Sequence, residues 1–383
     1  MNEIGPLEEH VLPPGIRARF VDNTNGLAMH VLEAGRPSAP LVLLLHGFPE
    51  LAYSWRKVMP ALAAARYYVI APDQRGYGRT LGWDPDYDGD LGSFRILNLV
   101  RDTLGLVSAL GYRAAEAVVG HDFGSSVAEW CALIRPDVFR SVVLMSAPFG
   151  GAPELPFHTA GKDRVADTRP SIHDELAALG RKHYQWYYSE REANADMWRA
   201  PQGVHAFLRA YYHHKSGGWP GNRPYRLAGW TAGELAKLPT YYIMELDKGM
   251  AETVAPFMPS AAEIAACKWL TEAEVAVYAT EFGRTQFTGA LQGYRVRRGS
   301  DPKSLAEMRT FTNRSIDVPS MFVGGKSDWG TYQTPGAVDR MRTTACTRMV
   351  GFHLLEGAGH WVQQEQPEQV SALLIQFLRE QRT

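Results

Sequence analysis

A chain of 383 residues, 45% hydrophobic and 21% charged, has room for one large globular domain or two ordinary ones. With 40 Lys and Arg against 41 Asp and Glu, and no dense basic cluster, it lacks the positive excess of a nucleic-acid binder. Its three cysteines, Cys131, Cys267 and Cys346, are too scattered for a disulfide framework or a paired-cysteine metal site.

The opening MNEIGPLEEHVLPPG is acidic and broken by prolines, unlike a secretory signal, and the longest apolar run, PLVLLLHGF, is far too short to span a bilayer. A soluble, cytoplasmic protein with no membrane partner is therefore expected. RARFVDN and LAMHVLEAG predict two strands joined by the turn NTNG. PLVLLLHG, YYVIAPD, AEAVVG and FRSVVLMSA are continuous apolar runs of the kind that buried strands use. Helix-like SWRKVMPALAA, LVRDTLGLVSALG and SSVAEWCALIR separate them, and this alternation predicts an α/β fold with a mostly parallel sheet flanked by helices.

From about Phe149 to Asp317 the alternation lapses into aromatic-rich, helix-like sequence. It resumes with VPSMFVGG, TPGAVDRMRTTA, MVGFHLLEG and the amphipathic PEQVSALLIQFLREQ. The pattern predicts a core formed by residues 1–148 and 317–383, interrupted by a large, mainly helical cap at 149–316. Within the cap, 161–174 and 211–230 fit no pattern. His213 and His214 have no carboxylate or cysteine at ligand spacing, so a metal is not expected there.

Gly120-His121-Asp122-Phe123-Gly124 follows a predicted buried strand and precedes a predicted helix. A Gly-x-nucleophile-x-Gly turn forces its central residue into a strained conformation at a helix N-terminus, where negative charge is favoured. An aspartate there is ionised at neutral pH without help and can displace at a strained or activated sp³ carbon, leaving an ester. It can equally serve as a helix N-cap. His360, in the Gly-rich loop of EGAGHWVQQ, is a candidate general base, and Asp328, in GGKSDWG, a candidate to orient it. Taken singly, these are an ordinary loop histidine and turn aspartate. In chain order the set nucleophile, acid, histidine matches the α/β-hydrolase triad. The strand ending in LLHGFPE can turn the Phe48 N–H toward Asp122, and with the Phe123 N–H this would form an oxyanion hole.

Together HGFPE, APDQRGYG, GHDFGSS, KSDWG and GAGHW resemble the epoxide hydrolase branch of the α/β-hydrolase fold, over nearly the whole chain from about residue 15. The resemblance implies Asp122 as nucleophile, Asp328 as charge-relay acid and His360 as base, with a turn that is often cis at the bond matching Phe48–Pro49. It also implies two cap tyrosines that hydrogen-bond the epoxide oxygen. The stretch 269–295 matches at Tyr294, and RKHYQWYYSER matches at Tyr184 followed by Gln185, with Tyr187 and Tyr188 as alternatives one helical turn away. Gln185, Trp361 and Pro49, from the matched stretches, are expected at the substrate. The implied substrates are a small apolar epoxide and water, with no metal or organic cofactor.

Two other readings share parts of this pattern. A haloalkane or haloacid dehalogenase uses the same aspartate chemistry, but those enzymes usually carry Trp or Arg where Phe123 stands. A non-catalytic ligand receptor on the same fold has no need of an intact Asp-His-Asp set.

Overall fold

The computed structural model describes residues 4–155 and 170–381. Strands β1 (Ile16–Asp22) and β2 (Ala28–Ala34) form the expected antiparallel pair. Their turn is built by Asn23, whose side-chain oxygen accepts the N–H groups of Asn25 at 2.9 Å and Leu27 at 3.0 Å. The sheet continues with β3 (Leu41–Leu45), β4 (Tyr68–Pro72), β5 (Ala117–His121) and β6 (Val142–Met145). After the insertion come β9 (Ser320–Gly325) and β10 (Met349–Leu355). The eight strands run in the order β1-β2-β4-β3-β5-β6-β9-β10, parallel from β4 onward.

Every residue of β3, β4, β5, β6 and β9 is buried, which is why their sequences read as unbroken apolar runs and not as alternating ones. Helices α1 (Met59–Ala64), α2 (Ile96–Ala109) and α3 (Phe123–Ile134) flank the sheet. Val127, Ala128, Cys131 and Leu133 of α3 pack with Val118 of β5 in one core cluster. Each fully buried Val or Leu contributes about 1.5–3 kcal/mol, so this contact holds α3 against the sheet. SWRKVMPALAA divides into a single 3₁₀ turn, Ala52–Trp55, and the short α1. Pro60 occupies the first turn of α1, where its missing N–H leaves nothing unpaired.

Between β6 and β9 the described residues are mainly helical, including Tyr184–Ser189, Gly203–Lys215, Glu272–Thr285 and Thr288–Arg295. The sequence did not suggest the small antiparallel pair of β7 (Arg181–His183) with β8 (Ile243–Glu245), because three-residue strands are too short to show a period. Of the unpatterned stretches, 161–169 lies outside the described residues. The other, 211–230, completes the helix Gly203–Lys215, whose end is capped by Asn222 donating to the carbonyls of His214 (2.9 Å) and Ser216 (2.7 Å). His214 stacks on Phe257 with centroids 3.5 Å apart, in an apolar cluster.

This helical layer is pinned to the sheet layer by buried polar contacts. Arg56, 1% exposed, donates to Glu274 (2.9 Å) and Gln364 (2.8 Å), and Arg79 donates to Glu281 (2.7 Å). The backbones of Gly76 and Gly289 touch so closely that a Cβ on either would overlap the other chain segment. Among the described residues no helix is long and apolar enough to cross a membrane.

Candidate active site

The C-terminal ends of β3, β5 and β9 and the loop after β10 meet at one edge of the sheet, the place where open α/β sheets gather functional groups. Asp122 follows β5 with φ +51° and ψ −115°, a conformation that L side chains rarely adopt. The turn fits only because of its glycines. A Cβ on Gly120 would fall on the Gly124 carbonyl, and one on Gly124 would fall on the carbonyls of Leu45 and His46. Asp122 stands at the start of α3, but its carboxylate makes no capping bond to the helix. It accepts instead from the Phe48 N–H, 3.0 Å from Oδ1. The Phe48–Pro49 peptide is cis. The Phe123 N–H opens α3, where the first amides have no acceptor within the helix.

The other carboxylate oxygen, Oδ2, is 3.4 Å from Nε2 of His360. Nδ1 of His360 is 3.1 Å from Oδ1 of Asp328, whose same oxygen accepts from the Gly330 N–H at 2.7 Å. Nδ1 is thus held by Asp328 while Nε2 faces Asp122, so that the imidazole is oriented to pass a proton at Nε2. Burial works against the ionised form of Asp122. The hydrogen bond and charge of His360, with the charges of Lys215 and His121, nevertheless hold its pKa below the ordinary carboxylate range. Asp328 is lowered likewise, burial being outweighed by His360.

A cavity of about 740 Å³ opens over Asp122, lined by Phe123, Tyr184, Gln185, Tyr294 and Gln333. The Tyr294 hydroxyl has no hydrogen-bond partner among the described residues, although the side chain is 5% exposed. The Tyr184 hydroxyl receives a bond from Gln185 Nε2 (3.1 Å) and donates to Gln333 Oε1 (3.3 Å). The two rings have centroids 6.1 Å apart. Burial, then the negative charge of Asp122, pushes both phenols above their ordinary pKa, so both remain protonated donors. The alternative tyrosines turn elsewhere: Tyr187 bonds to Asp196 and Tyr188 donates to Tyr211 at 3.2 Å.

Two of the expected substrate contacts, Pro49 and Trp361, are engaged by a tyrosine of the helical layer. Pro49 and Trp361 do not line the cavity. Both are bound to Tyr212, which donates through its hydroxyl to the Pro49 carbonyl (2.8 Å) and accepts from Trp361 Nε1 at its own carbonyl (2.8 Å). Their apolar surface is consumed in packing beneath the helical layer, behind His360.

The sequence reading also passed over a buried ion pair beneath the site. Nδ1 of His121 is 2.5 Å from Oε2 of Glu50, and Nε2 of His121 is 2.7 Å from the His360 carbonyl. Burial alone would discharge both, yet their mutual attraction raises the His121 pKa and lowers that of Glu50. Glu50 also accepts from the Gly47 N–H (3.0 Å) and from Gln363 (2.9 Å), tying the oxyanion loop to the histidine loop. The only signal in the sequence was their adjacency to the motifs, Glu50 ending HGFPE and His121 preceding Asp122.

A family model described as alpha/beta hydrolase fold matches residues 40–367. Epoxide hydrolase B of Mycobacterium tuberculosis is 34% identical over 370 residues, covering 93% of this chain and 96% of that protein. Among solved structures, an epoxide hydrolase from an endophytic Streptomyces superposes with a TM-score of 0.75 at 34% identity, covering 97% of each chain. Potato (Solanum tuberosum) epoxide hydrolase I gives a TM-score of 0.72 at 29% identity, covering 95% of this chain and 99% of that one. With a strained aspartate, an imidazole–carboxylate pair and two protonated phenols around one cavity, and relatives matched end to end, the chain belongs to the epoxide hydrolase family of the α/β-hydrolase fold.

Proposed function

We propose that this protein hydrolyses an apolar epoxide to a vicinal diol through an ester on Asp122, with a hydrolase core at 1–148 and 317–383 and the insertion 149–316 as its lid. The observation that carries the reading is the opposition of two phenols, Tyr184 and Tyr294, to the Asp122 carboxylate across one cavity. Displacement of a halide needs no proton donor, whereas opening a three-membered ether develops charge on oxygen that two phenols stabilise.

In the first half-reaction Oδ2 of Asp122 attacks a ring carbon while Oδ1 stays bonded to the Phe48 N–H. The C–O bond of the ring breaks and the released oxygen is protonated from a phenol. In the second, water gives a proton to Nε2 of His360 and adds to Cγ of the ester. The negative charge collects on Oδ1, facing the N–H groups of Phe48 and Phe123. The alkyl oxygen then leaves as the second hydroxyl of the diol, taking the proton from His360, and the remaining proton of the added water passes from the Asp122 carboxyl group to the phenolate left by ring opening.

Single turnover in heavy-oxygen water tests the scheme. The label is expected in the Asp122 carboxylate and absent from the first diol released. Label entering the diol directly, with none in the Asp122 peptide over repeated cycles, ends the ester mechanism.

A further inference from the structure

Lys215 is the last residue of the helix Gly203–Lys215 and is only 3% exposed. Its ammonium group has no carboxylate or hydrogen-bond acceptor in contact among the described residues. It stands instead among aromatic rings, with Nζ 4.9 Å from the centroid of Tyr242, 5.3 Å from Tyr211, 5.4 Å from Trp361 and 5.7 Å from Tyr241. Ring faces attract a cation, but burying an ammonium without a contacting anion is costly, and an apolar side chain would fill the space more cheaply.

The location gives this charge a use. Trp361 is the ring between Lys215 and the base, its centroid 4.7 Å from that of His360. The main-chain carbonyl of Lys215 accepts the His360 N–H at 2.9 Å. Burial pulls the Lys215 pKa below its ordinary value, the negative charges of Asp122, Asp328 and Glu50 act against that pull, and Lys215 in turn helps to keep Asp122 ionised. A fixed cation beside a carboxylate has opposite effects on the two half-reactions. Alkylation carries negative charge away from Asp122 toward the ring oxygen, so the cation opposes it. Ester hydrolysis returns negative charge to the same carboxyl group, so the cation assists it.

We propose that Lys215 is a positioning charge for the second half-reaction, speeding the hydrolysis of the Asp122 ester without touching the substrate. The bonds made and broken are those of the hydrolysis above: water oxygen to Cγ, the Cγ–alkyl oxygen bond cleaved, and one proton passed through His360. The inference rests on the ester mechanism proposed above.

The test is rapid-quench kinetics with one epoxide, reading diol by chromatography and the Asp122 adduct by intact mass, on wild type, Lys215→Met and Lys215→Arg. In Lys215→Met, ester hydrolysis is expected to slow about tenfold or more while alkylation is unchanged or faster. The adduct then becomes the main enzyme form at steady state, and kcat and KM fall together. Lys215→Arg, which keeps the charge, is expected to restore hydrolysis and clear the adduct. A purely structural role would depress both steps and leave no adduct. Hence a wild-type ratio of adduct to free enzyme in Lys215→Met, or parallel loss of both steps, overturns the proposal. If Lys215→Met does not fold, Lys215→Gln is read by the same criteria. Wild type that forms neither diol nor adduct from any epoxide removes the ester mechanism itself, and this proposal with it. Wild type that forms diol while the neutral variants partition normally removes this proposal alone.

Discussion

Asp122, Asp328 and His360 stand one, three and five residues beyond the ends of β5, β9 and β10. Tyr184 and Tyr294 come from the other side of the cavity, on the short helices Tyr184–Ser189 and Thr288–Arg295. The first group is held by main chain: a positive φ at Asp122, an amide on its carboxylate, and another amide on Asp328. The phenols are held by rings. Tyr294 packs against Phe48 at 5.6 Å and Tyr188 at 5.0 Å, and Tyr184 against Tyr242 at 5.1 Å. Backbone geometry leaves a local mark in the sequence, in glycines at set offsets. Ring packing leaves only composition, because many arrangements of aromatic residues fill the same volume.

The comparison is broken most severely by removing the attacking group. Asp122→Ala is expected to lower diol formation by about 10⁴-fold or more, and a residual rate within tenfold of wild type would relieve Asp122 of its role. His360→Gln is expected to cost about 10³-fold in turnover while leaving alkylation intact. The protein should then carry the substrate mass on the Asp122 peptide, and an unmodified peptide with a confirmed substrate would remove His360 as the base. On the lid side, Tyr294→Phe and Tyr184→Phe are each expected to slow the pre-steady-state alkylation step by about 10²-fold. Tyr187→Phe should change it little, since that hydroxyl is turned to Asp196. Equal effects at all three positions would mean that the phenols act by packing and not as donors.

Two weaker perturbations concern how the regions are held. Arg56→Met removes one buried donor each from Glu274 and Gln364, which keep Lys57 and Tyr278 respectively, and is expected to cost about 3 kcal/mol in urea unfolding. An unchanged midpoint would show that the Arg56 contacts do not hold the helical layer in place. In the core, Asp73 accepts from His30 (2.8 Å) and from the Ala52 N–H (2.9 Å). Burial opposes its ionisation, but the charge and hydrogen bond of His30 bring its pKa down to about 2. Because the folded value lies below the ordinary one, the stabilisation is complete above the usual carboxylate range and is lost as pH falls toward about 2. It amounts to about 2 kcal/mol. Asp73→Asn should flatten the acid limb of stability against pH, and an unaltered limb would assign the acid sensitivity to other carboxylates.

The strands were legible because burial on both faces imposes continuous apolar runs, as in LVLLL of β3 and AVVGH of β5. The turn at Asp122 was legible because only glycine tolerates the close approach of Leu45 and His46 at position 124. Where β4 inserts, between β2 and β3, was not legible, since strand order is decided by which connection packs best and not by any residue in the strand. Pro49 and Trp361 lie in legible motifs, but their engagement by Tyr212 was not legible, because a residue's neighbour in sequence does not set the direction its side chain faces. The Glu50–His121 pair and the caged Lys215 were invisible for the same reason: a buried charge is recognised only by what surrounds it, and their partners lie 71 residues apart in one case and on several separate segments in the other. Local constraints on the backbone are written into the chain itself. Long-range electrostatics and ring packing come into being only when the sheet and the helical layer pack against one another.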